Sequence, residues 1–224
     1  KYLYADWSAL DMINQLISSE VIISSAERIE NGLEVTSMGI DVARYGDDKT
    51  VFTILKNGNI ELIESYEQTS ITEIVTRTIQ LIHDYNIDPN YVGIDSVGVG
   101  AGVVDNLKSA GYDVIELQGG SKPEESQYEE AFLPFNLRSQ MYYELRRDMM
   151  NGQIGNLTDE TLKLELQSIQ YEIYSDKKVK VISKEAIKKL LGRSPDYADS
   201  LVYANWVKTY RGGIKWYMAI SGGL

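Results

Sequence analysis

The chain has 224 residues, a formal net charge of −11, no cysteine and one histidine, His83. That length fits a single domain with small elaborations, and the missing cysteines exclude disulfides, thiolate metal sites and a cysteine nucleophile. With one histidine a histidine-rich zinc site is excluded too, so any bound metal must be held mainly by oxygen, which selects hard cations such as Mg2+ or Mn2+.

Residues 5–18 have helical spacing, with Trp7, Leu10, Ile13, Leu16 and Ile17 on one side. They are read as part of a lead-in, residues 1–35. The chain does not begin with Met, which fits a piece of a longer protein. No basic region followed by an apolar stretch marks a signal peptide, and no apolar run approaches the ~18–20 residues that span a membrane. Residues 36–43, 50–56 and 60–66 read as three strands, the last two joined by Asn57-Gly58, a strong hairpin signal. Ser70, with Glu73 three residues on, predicts a capped helix to about Tyr85. A short apolar run, 91–95, predicts a buried strand. A glycine-rich turn, 96–102, leads into a helix ending near Gly111, and residues 113–117 form the next strand. The order is β-β-β-α-β-α-β. Residues 118–127 read as a polar loop, 131–150 and 158–168 as helices, and 170–182 as a hairpin. A helix capped by Ser183 runs to Leu191, and a last one opens at Ser194-Pro195 and ends near Tyr210. The domain is thus expected over 36–210, with a tail from 211 to 224.

Three segments carry chemistry. Asp41 follows Gly39-Ile40, Asp95 follows Gly93-Ile94 at a strand end, and Asp196 and Asp199 stand one turn apart on the last helix. The carboxyl ends of strands in α/β sheets are where sites form, and residues i, i+3 on a helix share a face. Asp41 could instead lie on an exposed sheet face, and Asp95 could cap a turn. Asp196 could serve its helix dipole as a first-turn acid. Asp199 is harder to dismiss, because Ala198 and Leu201 flank it and a lone carboxylate in an apolar stripe is costly. Carboxylates brought together make an oxygen cage for hard divalent cations, the machinery of two-metal phosphodiester cleavage. Such a cluster cannot stay ionised without a cation, so metal should bind with proton release.

The acidic balance by itself argues against a nucleic-acid partner. The charge is uneven, however: residues 177–193 carry seven basic side chains against Glu185 alone. A solvated helix face is the plain alternative. Arg44, Lys49 and Arg193 are candidates for phosphate contacts near the site, and the lysines of the hairpin, Lys178 and Lys180, for contacts along DNA.

The order of elements and carboxylates resembles the ribonuclease H-like fold, an α/β fold with a mixed five-stranded central sheet flanked by helices, here with an added β-hairpin. Within it, three stretches are similar to the nuclease domain of the large terminase subunit of tailed bacteriophages. They are Gly39-Ile40-Asp41-Val42-Ala43-Arg44 with Gly46-Asp47-Asp48-Lys49-Thr50, Gly93-Ile94-Asp95 with 98–105, and 192–201 around Ser194-Pro195-Asp196-Tyr197-Ala198-Asp199. The resemblance covers most of residues 36–209.

It implies a metal-dependent endonuclease that cuts concatemeric viral DNA during genome packaging in the host cytoplasm. It also implies two Mg2+ or Mn2+ ions held by Asp41, Asp95 and the helix pair, with Asp41 bridging them, Asp199 favoured as direct ligand and Asp196 sharing or backing the second ion. Implied partners are double-stranded DNA, a packaging ATPase domain, the small terminase subunit and the portal protein. No Gly-x-x-x-x-Gly-Lys-Ser/Thr loop occurs, so the motor is expected to be absent from this chain. A junction-resolving relative of the same fold and a non-catalytic docking module are the alternatives. An actin-like phosphotransferase would need a second meander and nucleotide-binding glycine motifs.

Overall fold

A computed structural model describes residues 14–29, 34–43, 48–124, 133–174, 178–211 and 214–215. A short helix, α1 (Ser19–Ser24), precedes the meander β1 (Thr36–Asp41), β2 (Lys49–Lys56) and β3 (Asn59–Glu67). β-Branched and apolar residues make these strands, and β2, buried on both faces from Thr50 to Leu55, is an apolar run rather than an alternating one. The β2–β3 turn forms because Asn57 and Gly58 both accept positive φ, 52° and 78°. Next come α2 (Ile71–Asp84), β4 (Val92–Asp95), α3 (Val99–Ser109) and β5 (Ile115–Leu117). The Ser70 hydroxyl accepts from Glu73 N while the Glu73 carboxylate accepts from Ser70 N, the expected capping box.

The central sheet has the order β3-β2-β1-β4-β5. β1 is antiparallel to β2 and parallel to β4, so the sheet is mixed, as predicted. β6 (Leu133–Pro134) follows, then α4 (Leu137–Met150), α5 (Glu160–Ser168), β7 (Tyr171–Ile173) and β8 (Lys178–Val181). The chain continues through α6 (Lys184–Leu191), α7 (Asp196–Thr209), and the pair β9 (Tyr210–Arg211) and β10 (Ile214–Lys215). The expected hairpin is β7–β8, widened by β6 into a three-stranded sheet.

Two cores cover the two faces of the central sheet. Met38, Ile40, Phe52, Ile54, Val92 and Ile94 pack with the apolar faces of α2 and α3. The other face is closed by α4, α5 and α7. The pleat therefore sorts β1 by parity. Ile40 points to α2 and α3, whereas Ser37, Gly39 and Asp41 point to α7. The Ser37 hydroxyl donates to Ala204 O at 2.9 Å. A Cβ on Gly39 would lie 2.0 Å from Ser200 O, so only glycine lets α7 come this close. β4 repeats the pattern with Gly93 under Val207 and Tyr203.

Two expectations need correction. The helix predicted over 5–18 is not one in its described part. Residues 14–18 form a turn at Asn14, a bridge from Gln15 to Gln170 and a bend at 16–17, and residues 5–13 lie outside the described residues. Leu16 and Ile17 are both buried in the α4–α5–α7 core, where the bend at 16–17 turns two adjacent side chains toward the domain. The helix predicted from 131 starts at Leu137, because Leu133-Pro134 pairs with β8 and Asn136 caps the helix by accepting from Ser139 N.

Candidate metal centre

The register that pairs Gly39 with Gly93 and Ile40 with Ile94 brings Asp41 and Asp95 to adjacent strand ends. Both stand on the parity that faces α7. Asp199, in the first turn of α7, lies over them. The three carboxylates meet around the ammonium of Lys184, the first residue of α6. Its Nζ is 3.0 Å from Asp41 Oδ1, 3.0 Å from Asp199 Oδ2 and 3.8 Å from Asp95 Oδ2. Asp199 is wholly buried and Asp41 nearly so, while the Lys184 side chain keeps 32% of its surface exposed.

Each carboxylate has its own support. The Asp199 Oδ1 accepts from the Tyr142 hydroxyl at 2.6 Å and from Arg138 Nη2 at 3.2 Å. Asp95 Oδ1 accepts from Val97 N at 3.0 Å. That turn is tight, because a Cβ on Gly100 would lie 1.7 Å from Asp95 O. Asp196 Oδ2 accepts from Lys49 N at 2.8 Å, tying α7 to the start of β2. Nearby, Asp48 accepts from Lys188 Nζ at 2.7 Å and from the Ser194 hydroxyl at 2.9 Å.

Burial pushes the Asp41 carboxyl well up, against the pull of Lys184 and with a further push from the other aspartates. Burial likewise raises Asp95 and Asp196. For Asp199 burial is outweighed by the charges of Lys184 and Arg138 and the Tyr142 hydrogen bond, and its carboxyl is held low. Lys184, despite burial, is raised well above its ordinary value by Asp199 and Asp41. One carboxylate is thus kept firmly ionised, and the others press for a further positive charge.

No group of carboxylates or imidazoles among the described residues already stands as a metal cage. The position enclosed by Asp41, Asp95 and Asp199 is taken by an ammonium, itself a cation bound by oxygen. The donors are hard, the neighbouring carboxyls carry excess negative charge, and Asp199 Oδ2 has only the Lys184 ammonium, at 3.0 Å, as a partner among the described residues. A divalent cation fits this donor set once the lysine, which reaches in from the open side, turns away.

Compared with solved structures, the chain is similar to the nuclease domain of the large terminase subunit gp2 of bacterial virus Sf6, with TM-score 0.72 and 20% identity over 85% of this chain and 97% of that one. The same Sf6 domain, in a mutant form with manganese and beta-thujaplicinol, matches at TM-score 0.72 and 18% identity, with the same coverage of both chains. The large terminase nuclease of thermophilic phage G20c with bound magnesium matches at TM-score 0.58 and 20% identity, over 87% of this chain and 98% of that one. This chain has the ribonuclease H-like fold. No protein-family model matches the sequence, and no curated protein is similar to it in sequence.

Within the ribonuclease H-like frame, all four sequence-predicted carboxylates lie at one end of the sheet. Asp41, Asp95 and Asp199 converge; Asp196 stands beside them with one oxygen committed to a backbone N–H. The basic candidates are scattered. Lys49 Nζ pairs with Glu67 at 3.1 Å and Arg193 Nε with Glu165 at 3.5 Å. Lys180 lies over the rings of Phe135 and Tyr174, Lys178 is on the same strand, and Arg44 lies outside the described residues. Sequence reasoning missed Lys184, Arg138 and Tyr142. Lys184 was merged with the other lysines of 177–193, although a lysine directly after a helix cap opposes the helix dipole and was a signal that some acid holds it.

Proposed function

We propose that this chain is a divalent-metal-dependent endodeoxyribonuclease of the large-terminase type, cutting concatemeric viral DNA during genome packaging. The observation that supports it most is the convergence of Asp41, Asp95 and Asp199 on one cation-sized position, on a fold shared with terminase nuclease domains that hold magnesium or manganese. Asp41, Asp95 and Asp199 would hold Mg2+ or Mn2+, with Asp196 backing a second ion. When bound, such ions supply Lewis acidity at the scissile phosphate and favour hydroxide over water as nucleophile.

The chain's own residues do the rest. β1 and β4 hold Asp41 and Asp95 rigidly, since both strands are hydrogen-bonded on both edges. Arg138 and Tyr142 keep Asp199 ionised. Lys184 neutralises the carboxylates before metal arrives; swung outward, its ammonium can reach a phosphate oxygen of the strand being cut. Lys178, Lys180 and Arg193 stand on elements flanking α6 and are assigned to the DNA backbone, together with Lys49 and Arg44. Backbone contacts carry no sequence code, so cutting should show little sequence preference. A packaging ATPase domain, the small terminase subunit and the portal protein are the partners this reading assigns, in the host cytoplasm. No helix among the described residues is long and apolar enough to cross a membrane.

Cleavage of supercoiled plasmid with Mn2+, Mg2+ or EDTA tests the reading. Cutting that needs metal and vanishes in Asp41→Ala and Asp95→Ala supports it. Folded protein that leaves plasmid intact with every metal at high concentration overturns autonomous cleavage.

A further inference from the structure

We propose that Arg138 and Tyr142 are positioning residues that turn the Asp199 carboxylate so that Oδ2 alone faces the cation position. This deepens the metal-nuclease reading and rests on it. The Tyr142 hydroxyl and Arg138 Nη2 both donate to Oδ1, at 2.6 and 3.2 Å, and Oδ2 is left facing Lys184 Nζ at 3.0 Å. Rotation of an aspartate carboxylate about its last bond is soft. Two donors on one oxygen therefore decide which oxygen a ligand meets, and make Asp199 a one-oxygen ligand.

The clamp is built deep in the domain. Tyr142 and Asp199 are wholly buried, and the Arg138 side chain is 12% exposed. The guanidinium lies over the Tyr142 ring, 4.7 Å from its centroid. Its second nitrogen, Nη1, donates to Ile182 O at 2.9 Å, two residues before Lys184. Arg138 N donates to Gly119 O at 2.9 Å, and Gly119 stands where a Cβ would come within 3.1 Å of the Arg138 Cβ. Arg138 thus joins α4, the loop after β5, α7 and the strand that delivers Lys184. A planar fork serves Asp199 and Ile182 at once; a lysine ammonium in its place would retain the charge but not the two directed bonds.

The test is Mn2+ binding, read by calorimetry and by the electron-paramagnetic signal of free Mn2+, on wild type, Tyr142→Phe and Arg138→Lys. Outer partners of metal ligands typically cost 10–100-fold in affinity when removed. Tyr142→Phe keeps the ring under Arg138, so we expect Mn2+ affinity to fall by about tenfold or more with a thermal midpoint in EDTA lowered by only a few degrees. Tyr197→Phe, which loses a 2.8 Å bond to the Ser65 hydroxyl, should leave Mn2+ affinity unchanged. In an Asp199→Asn background Tyr142→Phe should add less than about twofold, because its effect runs through Asp199.

Should Tyr142→Phe fail to fold, Arg138→Lys carries the same expectation. Unchanged Mn2+ affinity in the folded variants, or an undiminished loss in the Asp199→Asn background, overturns the clamp. Wild-type protein that binds no Mn2+ overturns the metal-nuclease reading itself and the clamp with it.

Discussion

Lys184 and Asp199 show how the site holds its charge. Asp199 has three positive or polar partners and remains ionised; Asp41, paired among the described residues with Lys184, is pushed by burial toward the protonated form. Lys184→Ala should therefore destabilise the metal-free protein. Breaking a fully buried ion pair costs ~3–5 kcal/mol, and with a third of the lysine in water about 1–3 kcal/mol is expected. Mn2+ should restore the thermal midpoint, since it replaces the lost charge. A variant as stable as wild type in EDTA would show that the aspartates are protonated rather than paired.

The two helix aspartates should also separate. Asp199→Asn should reduce cleavage about as far as Asp41→Ala, on the order of a thousandfold for a direct ligand, a loss of about 4 kcal/mol in transition-state stabilisation. Asp196→Asn keeps an oxygen for Lys49 N and should lose tenfold or less. Single-turnover cleavage rates decide between them, and equal losses would make Asp196 a ligand of equal rank.

At the scale of elements, α7 is the arm that carries Asp199, and two contacts set its position. One is the seat over Gly39. A methyl there would lie 2.0 Å from Ser200 O and 2.3 Å from Ala204 N, both backbone atoms that cannot rotate away. Overpacking costs ~1–3 kcal/mol where side chains adjust, so Gly39→Ala should cost at least about 3 kcal/mol and abolish cleavage in whatever protein still folds. The other contact is Glu165 of α5, which accepts from Ala198 N at 2.9 Å and sits near Arg193.

Burial raises the Glu165 carboxyl from 4.5 to about 8, against the pull of the Ala198 N–H and Arg193. Between those values the unfolded chain has released a proton that the folded chain keeps, so the native state loses stability as pH rises through that window. Glu165→Gln can retain the bond to Ala198 N without titrating. Its thermal midpoint should exceed wild type at pH 8.5 and match or fall slightly below it at pH 4.5. A variant less stable at both would show that the tie to Arg193 outweighs the cost of burial.

What was legible in the sequence divides by range at this same scale. The meander, the Ser70 and Ser183 caps and the Asn57-Gly58 turn are local, set by residues within a few positions. The two Gly-Ile-Asp runs announced the strand-end carboxylates, because glycine and aspartate share a parity that isoleucine does not. Residues 14–18 deceived, since a bend that buries two adjacent side chains leaves the same apolar pair in the sequence as a helix stripe. Lys184 lies 143 residues from Asp41, and Arg138 and Tyr142 lie 61 and 57 residues from Asp199 along the chain. Nothing in the neighbours of Arg138 and Tyr142 marks them, because the packing that selects them is tertiary; Lys184 has only its place after the Ser183 cap as a local sign.

For the whole molecule, the proposed function requires a chain of net charge −11 to engage a polyanion. Part of that charge is internal, since Asp41, Asp95, Asp196 and Asp199 cluster at the site and Asp148 is buried beside Lys208 at 3.6 Å. Bound cations would offset the first group. On the proposed function, the surface facing DNA would be the basic one along β8 and α6. On that function Lys180 is the better placed of the two β8 lysines, because β8 leads within four residues to Lys184 and the extended chain spans at most ~14 Å over that length.

Each phosphate contact released as counterion contributes about −0.9 to the slope of log affinity against log salt. Lys178→Ala with Lys180→Ala should weaken binding to duplex DNA, measured with Ca2+ in place of Mg2+, and flatten that slope by up to about 1.8 for two contacts. Mn2+ affinity should stay as in wild type, since among the described residues Lys184 and Arg138 are the cations paired with Asp41, Asp95 and Asp199. An unchanged slope would move the DNA path off the β7–β8 sheet. A lost Mn2+ affinity would instead mean that the hairpin holds Lys184 and α6 in place and touches DNA only through them.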